Sequence, residues 1–197
     1  RTTVWLAGIY ALVGLLKKED TEAGRYAAFA LSNIAANANH RDQVVEAGAI
    51  SHLISLACAE DINAQRQALT ALRSICISPA FRTIVVREGI LDPLVLMSRT
   101  DEMEILEETA SALNCLSAVD ENKAEVAERA LSTIISMMLA SSLVVARHAV
   151  CTFANLMENH SLHWRIVNEH ALPPLVALAT SGDTNTKGEA SRAVANL

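Results

Sequence analysis

The sequence predicts an all-α protein, a right-handed α-solenoid in which about five repeats of three helices form one array. Three observations lead there. The stretch Gly48-Ala49-Ile50-Ser51-His52-Leu53-Ile54-Ser55-Leu56 returns as Gly89-Ile90-Leu91-Asp92-Pro93-Leu94-Val95-Leu96-Met97, a shift of 41. It returns again from Arg129 to Met137 and from His170 to Leu178, while Leu12-Val13-Gly14-Leu15 matches Leu53 to Leu56 upstream. Periods of about 40 to 47 residues belong to helical solenoids. Hydrophobic residues make up 51% but aromatics only 4%, so the core is Ala, Leu, Val and Ile, small enough for helices to approach closely. With 7 Gly and 4 Pro in 197 residues, no flexible linker divides the chain. The repeats fall at about 1–38, 39–79, 80–120, 121–160 and 161–197.

Repeat one places a second helix over Ile9 to Leu16, a polar loop over Lys17-Lys18-Glu19-Asp20, and a third helix over about Thr21 to Asn37. Thr21 with Glu22 offers an N-terminal cap and a favourable dipole charge. Repeat two adds a short first helix near Arg41 to Ala47, a second near Ala49 to Ala59, and a third from about Asn63 to Ile77, stopped by Pro79. Ala68, Ala71, Leu72 and Ile75 have the spacing of one buried helix face. Repeat three, roughly Phe81 to Val119, repeats that stripe as Ala112, Leu113 and Leu116; repeat four, about Asn122 to Glu158, as Phe153 and Leu156. The fifth, from about His163, carries Ala193, Val194 and Leu197 there. One repeat cannot bury its own apolar face, so each needs its neighbour, and third helices are expected to line the concave side.

The stretch Ala27-Ala28-Phe29-Ala30-Leu31-Ser32-Asn33-Ile34-Ala35, followed by Val44-Val45-Glu46-Ala47-Gly48-Ala49-Ile50, resembles the armadillo family: its third helix and the junction between its first and second helices. Two departures stand out, because the junction glycine becomes Arg129 and then His170. Glycine adopts positive φ at no steric cost; Arg or His there requires a different turn or some strain. Arg1 begins inside a repeat and Leu197 ends inside a third helix, neither with a polar outer face, so the sequence reads as a piece of a longer protein.

The resemblance implies a binding row. In armadillo proteins that hold extended peptides, an Asn near the end of the third helix contacts the peptide backbone, often with a Trp four residues earlier. The Asn register here reads Asn33, Ser74, Cys115, Asn155 and Asn196. A carboxamide both donates and accepts, so it can satisfy a peptide C=O and N–H together. The same Asn could instead bond the backbone end of an adjacent helix. The Trp register reads Phe29, Thr70, Ser111, Cys151 and Arg192, and both tryptophans, Trp5 and Trp164, fall near first helices. The aromatic walls of an importin-α type of groove are therefore missing. Eight residues before the Asn lie Arg25, Arg66, Glu107, Arg147 and Gly188. Three arginines in a row favour an acidic peptide, as in β-catenin-like proteins; a structural ladder Arg66 to Glu107 to Arg147 fits the same residues. Leu143 and Val144, equivalent to Ile62 and Asn63 and to Met103 and Glu104, either tuck under their loop, the commoner arrangement, or form a second contact surface.

A net charge of -6 disfavours a protein whose main task is neutralising phosphates, so nucleic acid is not the expected partner. Cys58, Cys76, Cys115 and Cys151 form no CxxC pair and read as buried reduced thiols in a cytoplasmic protein. The charge-free run Ala130 to Ala146 contains a repeat loop and is too polar to span a bilayer, and no signal peptide opens the chain, which reads as soluble. No phosphate loop, GxSxG or HExxH occurs, and His160, His163 and His170 read as solvated loop residues rather than metal ligands. No cofactor is expected. The leading expectation is a non-catalytic scaffold whose groove, through Asn33, Asn155, Asn196 and the Arg row, engages an extended protein segment. Alternatives are a structural or homo-oligomeric assembly, or the substrate-recruiting arm of a larger ubiquitin ligase; vacuolar-anchoring armadillo proteins have a similar repeat texture.

Overall fold

The computed structural model describes residues 2–17, 21–180 and 183–196, with backbone alone at Thr2 and Thr3. Among them are thirteen α-helices, one 3-10 turn and no strand. The helices are α1 (Thr2–Leu16), α2 (Thr21–Ala36), α3 (Ala38–Glu46), α4 (Ala49–Ala57), α5 (Ile62–Cys76), α6 (Pro79–Arg87), α7 (Leu91–Met97), α8 (Met103–Ser117), α9 (Asp120–Met138), α10 (Leu143–Met157), α11 (His163–Asn168), α12 (Leu172–Ala179) and α13 (Thr184–Ala195). The chain packs as two compact units, Arg1–Pro93 and Leu94–Leu197, with the division inside α7.

Third helices carry the core of each unit. In the first, α2 buries Ala27, Ala28, Leu31 and Ala35, and α5 buries Ala64, Ala68, Ala71, Leu72 and Ile75, so the expected stripe is present. Small buried side chains on both faces, chiefly alanines, suit close packing of these two helices. In the second unit, α8, α10 and α13 repeat the arrangement around Leu113, Leu116, Phe153, Leu156 and Ala193. Ala112 is only half-buried. Val194, expected in the stripe, is 45% exposed. Leu197 and the loop residues 18–20 lie outside the described residues.

The junctions divide as their residues require. Gly48 and Gly89 take φ of 78° and 93°, a region that other L-residues enter only with strain, and each separates a first helix from a second. His170 occupies the same region at φ 55° and keeps the break between α11 and α12. Arg129 does not: α9 runs through it as one 19-residue helix. Val126, Ala127, Ala130, Leu131, Ile134, Met137 and Met138 form an unbroken buried stripe along it, so removing the glycine fuses two helices into one. In repeat one, α1 runs from Thr2 to Leu16, longer than the second helix expected over Ile9 to Leu16.

One connection recurs that the apolar pattern does not announce. Arg41 Nε donates to the Ala35 carbonyl at 2.7 Å, Arg82 Nε to Cys76 at 2.9 Å, and Asn122 Nδ2 to Leu116 at 3.0 Å; His163 Nε2 lies 2.8 Å from the Met157 carbonyl. All four reach back six residues from the start of one repeat to the end of the preceding third helix, whose last carbonyls have no partner within the helix. A carbonyl only accepts, so His163 Nε2 carries a proton. This histidine is a helix clasp rather than a solvated loop residue, and its ring meets His160 edge-on at 4.9 Å.

Third helices begin at a shared position too. Asp61, Ser142 and Asp183 accept from backbone N–H groups of the first turns of α5, α10 and α13, at 3.1, 3.4 and 2.8 Å. Thr21 is the first residue of α2 rather than its cap, with Glu22 in the first turn. Pro79 sits at the first position of α6, where its missing N–H has no helical partner to lose. None of the four cysteines forms a disulfide; Cys76 is buried as expected, Cys115 and Cys151 are half-buried, and Cys58 is exposed.

Candidate functional site

In the first unit, α2 and α5 flank an open cleft of about 320 Å³ lined by Arg25, Tyr26, Phe29, Asn63, Arg66 and Gln67. Arg25, Phe29 and Arg66 are three of the residues expected in the binding rows. The repeat shift of 41 puts Arg25 and Arg66 at equivalent positions of neighbouring third helices, which is why they converge. Phe29 is 54% exposed and Tyr26 60%, although large apolar surfaces gain by leaving water. The Arg25 guanidinium lies 5.0 Å from the Tyr26 ring centroid and 3.7 Å from the exposed Glu22 carboxylate. Arg66 donates to Asn63 Oδ1 at 3.4 Å. Further along the same two helices, Asn33 is exposed. Ser74 Oγ donates to the Thr70 carbonyl at 3.0 Å and lies 3.5 Å from Ser32 Oγ across the helix pair.

The second unit treats the corresponding positions differently. Asn155 Nδ2 donates to Ser117 Oγ at 3.1 Å and to Asn114 Oδ1 at 3.4 Å, and its Oδ1 accepts from Arg192 Nη2 at 3.0 Å. Arg192 also reaches Glu158 at 2.6 Å and Glu189 at 2.8 Å. Glu158 in turn holds Lys123, whose side chain is 4% exposed and whose ammonium sits 2.7 Å from Glu158 and 2.5 Å from Asp120. Burial pulls the Lys123 pKa down, but hydrogen bonds and charge from Asp120 and Glu158 outweigh it and hold the ammonium above its ordinary value. Arg147 is half-buried on α10, and its charge bears on Asp183 and Cys151. Glu107 accepts from Ser142 Oγ at 3.0 Å. Asn196 is half-buried at the end of α13, its backbone N–H closing onto Arg192 and Ala193. Leu143 is exposed, as are its equivalents Ile62 and Met103.

The armadillo/β-catenin-like repeat profile matches residues 37–77 and 164–197. An engineered protein solved by the Northeast Structural Genomics Consortium is 30% identical, with 95% of this chain and 80% of that one covered, at a TM-score of 0.86. A structure of computationally designed armadillo repeat proteins for modular peptide recognition is 25% identical over 95% of this chain and 81% of its own, at a TM-score of 0.90. The chain belongs to the armadillo-repeat family. A designed armadillo repeat protein in complex with the peptide (KR)4 shares the fold as well, at 24% identity and a TM-score of 0.87, over 96% of this chain and 82% of that one. Among curated proteins none matches.

Within this armadillo chain, the residues that complete the first unit's cleft are Tyr26, Asn63 and Gln67, which the register argument passed over. They flank the register positions by one to three residues: Tyr26 follows Arg25, and Asn63 and Gln67 bracket Arg66. A cleft between two helices draws on both sides of each column, so the signal that finds them is adjacency to a column rather than membership of it. The Glu158, Glu189 and Arg192 cluster was legible only in part, as an i, i+3 pair at Glu189 and Arg192.

Proposed function

We propose that this chain is a non-catalytic scaffold that holds an extended segment of a partner protein against its third helices, with the cleft between α2 and α5 as the principal contact. The observation that carries this reading is the convergence of Arg25, Phe29 and Arg66 on one open cleft. Asn33, one turn beyond Phe29, and Ser74, two turns beyond Arg66, are assigned to the partner's backbone. In the second unit, Arg147 and Asn196 are assigned to partner contacts, whereas Asn155 and Arg192 hold neighbouring third helices together. Two guanidiniums at one cleft favour an acidic segment. The likeness to proteins designed for modular peptide recognition supports a peptide as the occupant. The scaffold is assigned to the cytoplasm, where cysteines outside disulfides, as all four are here, stay reduced. Among the described residues no helix is long and apolar enough to cross a membrane.

Selection of a displayed random-peptide library on the whole chain tests this. Enriched peptides should lose binding to a Phe29→Ala, Arg66→Glu double variant and keep it with Leu143→Ser. Failure to enrich any peptide, or enrichment indifferent to the cleft variant, would sink the scaffold reading.

A further inference from the structure

Two pairs of side chains face the cleft between α2 and α5 with different chemistry. On α2, Tyr26 and Phe29 stand one turn apart, and each is more than half exposed. On α5, Asn63 and Gln67 stand four residues apart, again neighbours on one helix face. Asn63 Oδ1 accepts from Arg66, and because a guanidinium only donates, that contact fixes which end of the carboxamide is oxygen. What Asn63 presents beyond that bond is its NH2, a donor. Gln67 adds a second NH2 beside its own oxygen, and Tyr26 a hydroxyl, so the polar rim is weighted towards donors. We propose that the cleft takes a proline-rich segment in the polyproline II conformation, with proline rings on Tyr26 and Phe29 and prolyl carbonyls on the carboxamide N–H groups of Asn63 and Gln67. This names the occupant in the scaffold reading above and rests on that reading.

A peptide docks as a strand, as an amphipathic helix or as a polyproline II segment, and the cleft separates the three. A strand carries an N–H beside every C=O and so needs acceptors as well as donors, yet the Asn63 oxygen is already taken. A helix bonds its own backbone internally and would lay apolar side chains on both carboxamides, desolvating them without return. A run of prolines has carbonyls and no N–H, which matches a rim of donors. Those carbonyls have no partner within a polyproline II segment, so all are open to the protein. The pyrrolidine rings meanwhile cover aromatic surface that otherwise stays in water. Because proline fixes φ beforehand, docking costs such a segment little chain entropy. The Arg25 guanidinium lies 5.0 Å from the Tyr26 ring centroid, but Tyr26 is still 60% exposed, which leaves surface for a ring to cover. Arg25 keeps its pair with Glu22 and Arg66 its bond to Asn63 throughout; no donor of either guanidinium is called on.

Three peptides, octaproline, an alternating Val-Thr octamer and octaglycine, each flanked by Gly-Ser, are titrated into the whole chain by NMR. Octaproline should shift resonances of Tyr26, Phe29 and the Gln67 side-chain amide and bind at least tenfold tighter than the other two. Phe29→Ala, which removes a ring, and Gln67→Met, which keeps the bulk and removes the donor, should each weaken octaproline at least fivefold. Circular dichroism of both variants should match the parent, since both positions are open to water. Equal or tighter binding of the Val-Thr octamer, or octaproline binding indifferent to both variants, overturns the proline assignment. If octaproline does not bind while library-selected peptides still bind through the cleft, the proline assignment falls and the scaffold reading stands.

Discussion

Arg192 donates from Nη2 to Oδ1 of Asn155 at 3.0 Å, joining two residues that the sequence places in separate columns of a binding groove. With Ser117 and Asn114 on its Nδ2, the Asn155 carboxamide is spent inside the protein at both ends. Asn33, its equivalent in the first unit, is exposed. The two positions should therefore answer the same substitution differently. Asn155→Ala strands partly buried donors and acceptors and should cost about 1–3 kcal/mol. Asn33→Ala should stay within about 0.5 kcal/mol of the parent, as exposed sites do. Urea unfolding at constant m-value measures both, and equal losses would refute the assignment.

The backward clasps at Arg41, Arg82, Asn122 and His163 lend themselves to a second comparison. Arg41 is 6% exposed and satisfies the Ala35 and Ala36 carbonyls together, at 2.7 and 3.2 Å. Arg41→Met keeps the aliphatic stem but leaves both carbonyls short of a donor, a loss of about 1.5–3 kcal/mol for bonds involving a charged group. Arg165→Met breaks an exposed pair with the Glu128 carboxylate and an exposed bond to the Glu128 carbonyl, and should cost at most about 1 kcal/mol. If the two variants unfold at the same urea concentration, the clasp contributes nothing special.

How far the sequence disclosed this structure depends on what each residue demands locally. Gly48 and Gly89 were legible because positive φ excludes most other residues, and the stripe Ala68, Ala71, Leu72 and Ile75 because burial follows helical spacing. The cleft residues Arg25, Phe29 and Arg66 were legible as columns. The fate of Asn155 was not, since its partners Asn114, Ser117 and Arg192 are 37 to 41 residues away, one repeat to either side. Aligning columns shows which positions are equivalent; it does not show whether a long Arg side chain crosses to the neighbouring column. The clasp column was visible in principle as Arg41, Arg82, Asn122 and His163, but its residue types differ and share only a donor.

Asp183 gives the C-terminal helix an acid-sensitive start. Its carboxylate accepts from the Thr186 hydroxyl at 2.6 Å and from the Thr186 N–H at 2.8 Å, and these bonds, the hydroxyl foremost, hold its pKa below the ordinary value. A carboxyl lowered by folding contributes fully above its unfolded pKa and loses that contribution as the pH falls through the lowered value. Hydrogen-exchange protection of the first turn of α13 should accordingly drop in acid, below the usual carboxylate range. Asp183→Asn retains a capping oxygen without a titrating proton and should flatten that drop, whereas Asp183→Ala should lower protection at every pH. An unchanged acid response in Asp183→Asn would assign it to other carboxylates.

The two junctions that lack glycine offer the sharpest contrast, because one substitution should act with opposite sign at each. His170 is exposed and holds φ at 55°, a left-handed conformation that costs an L-residue roughly 1–2 kcal/mol. His170→Gly removes that cost and adds about 0.5–1 kcal/mol of unfolded-chain entropy, for a net gain between about 0 and 1.5 kcal/mol. Arg129 lies in the interior of α9, where the fused helix needs no turn. Arg129→Gly should therefore lose about 1 kcal/mol, the ordinary penalty of glycine in a helix, and α9 should exchange amide hydrogens faster around that position. Thermal and urea unfolding of the two single variants decide the matter. A gain at Arg129 would mean that the fused helix is itself strained, and a loss at His170 would mean that its ring makes contacts worth more than the backbone strain it carries.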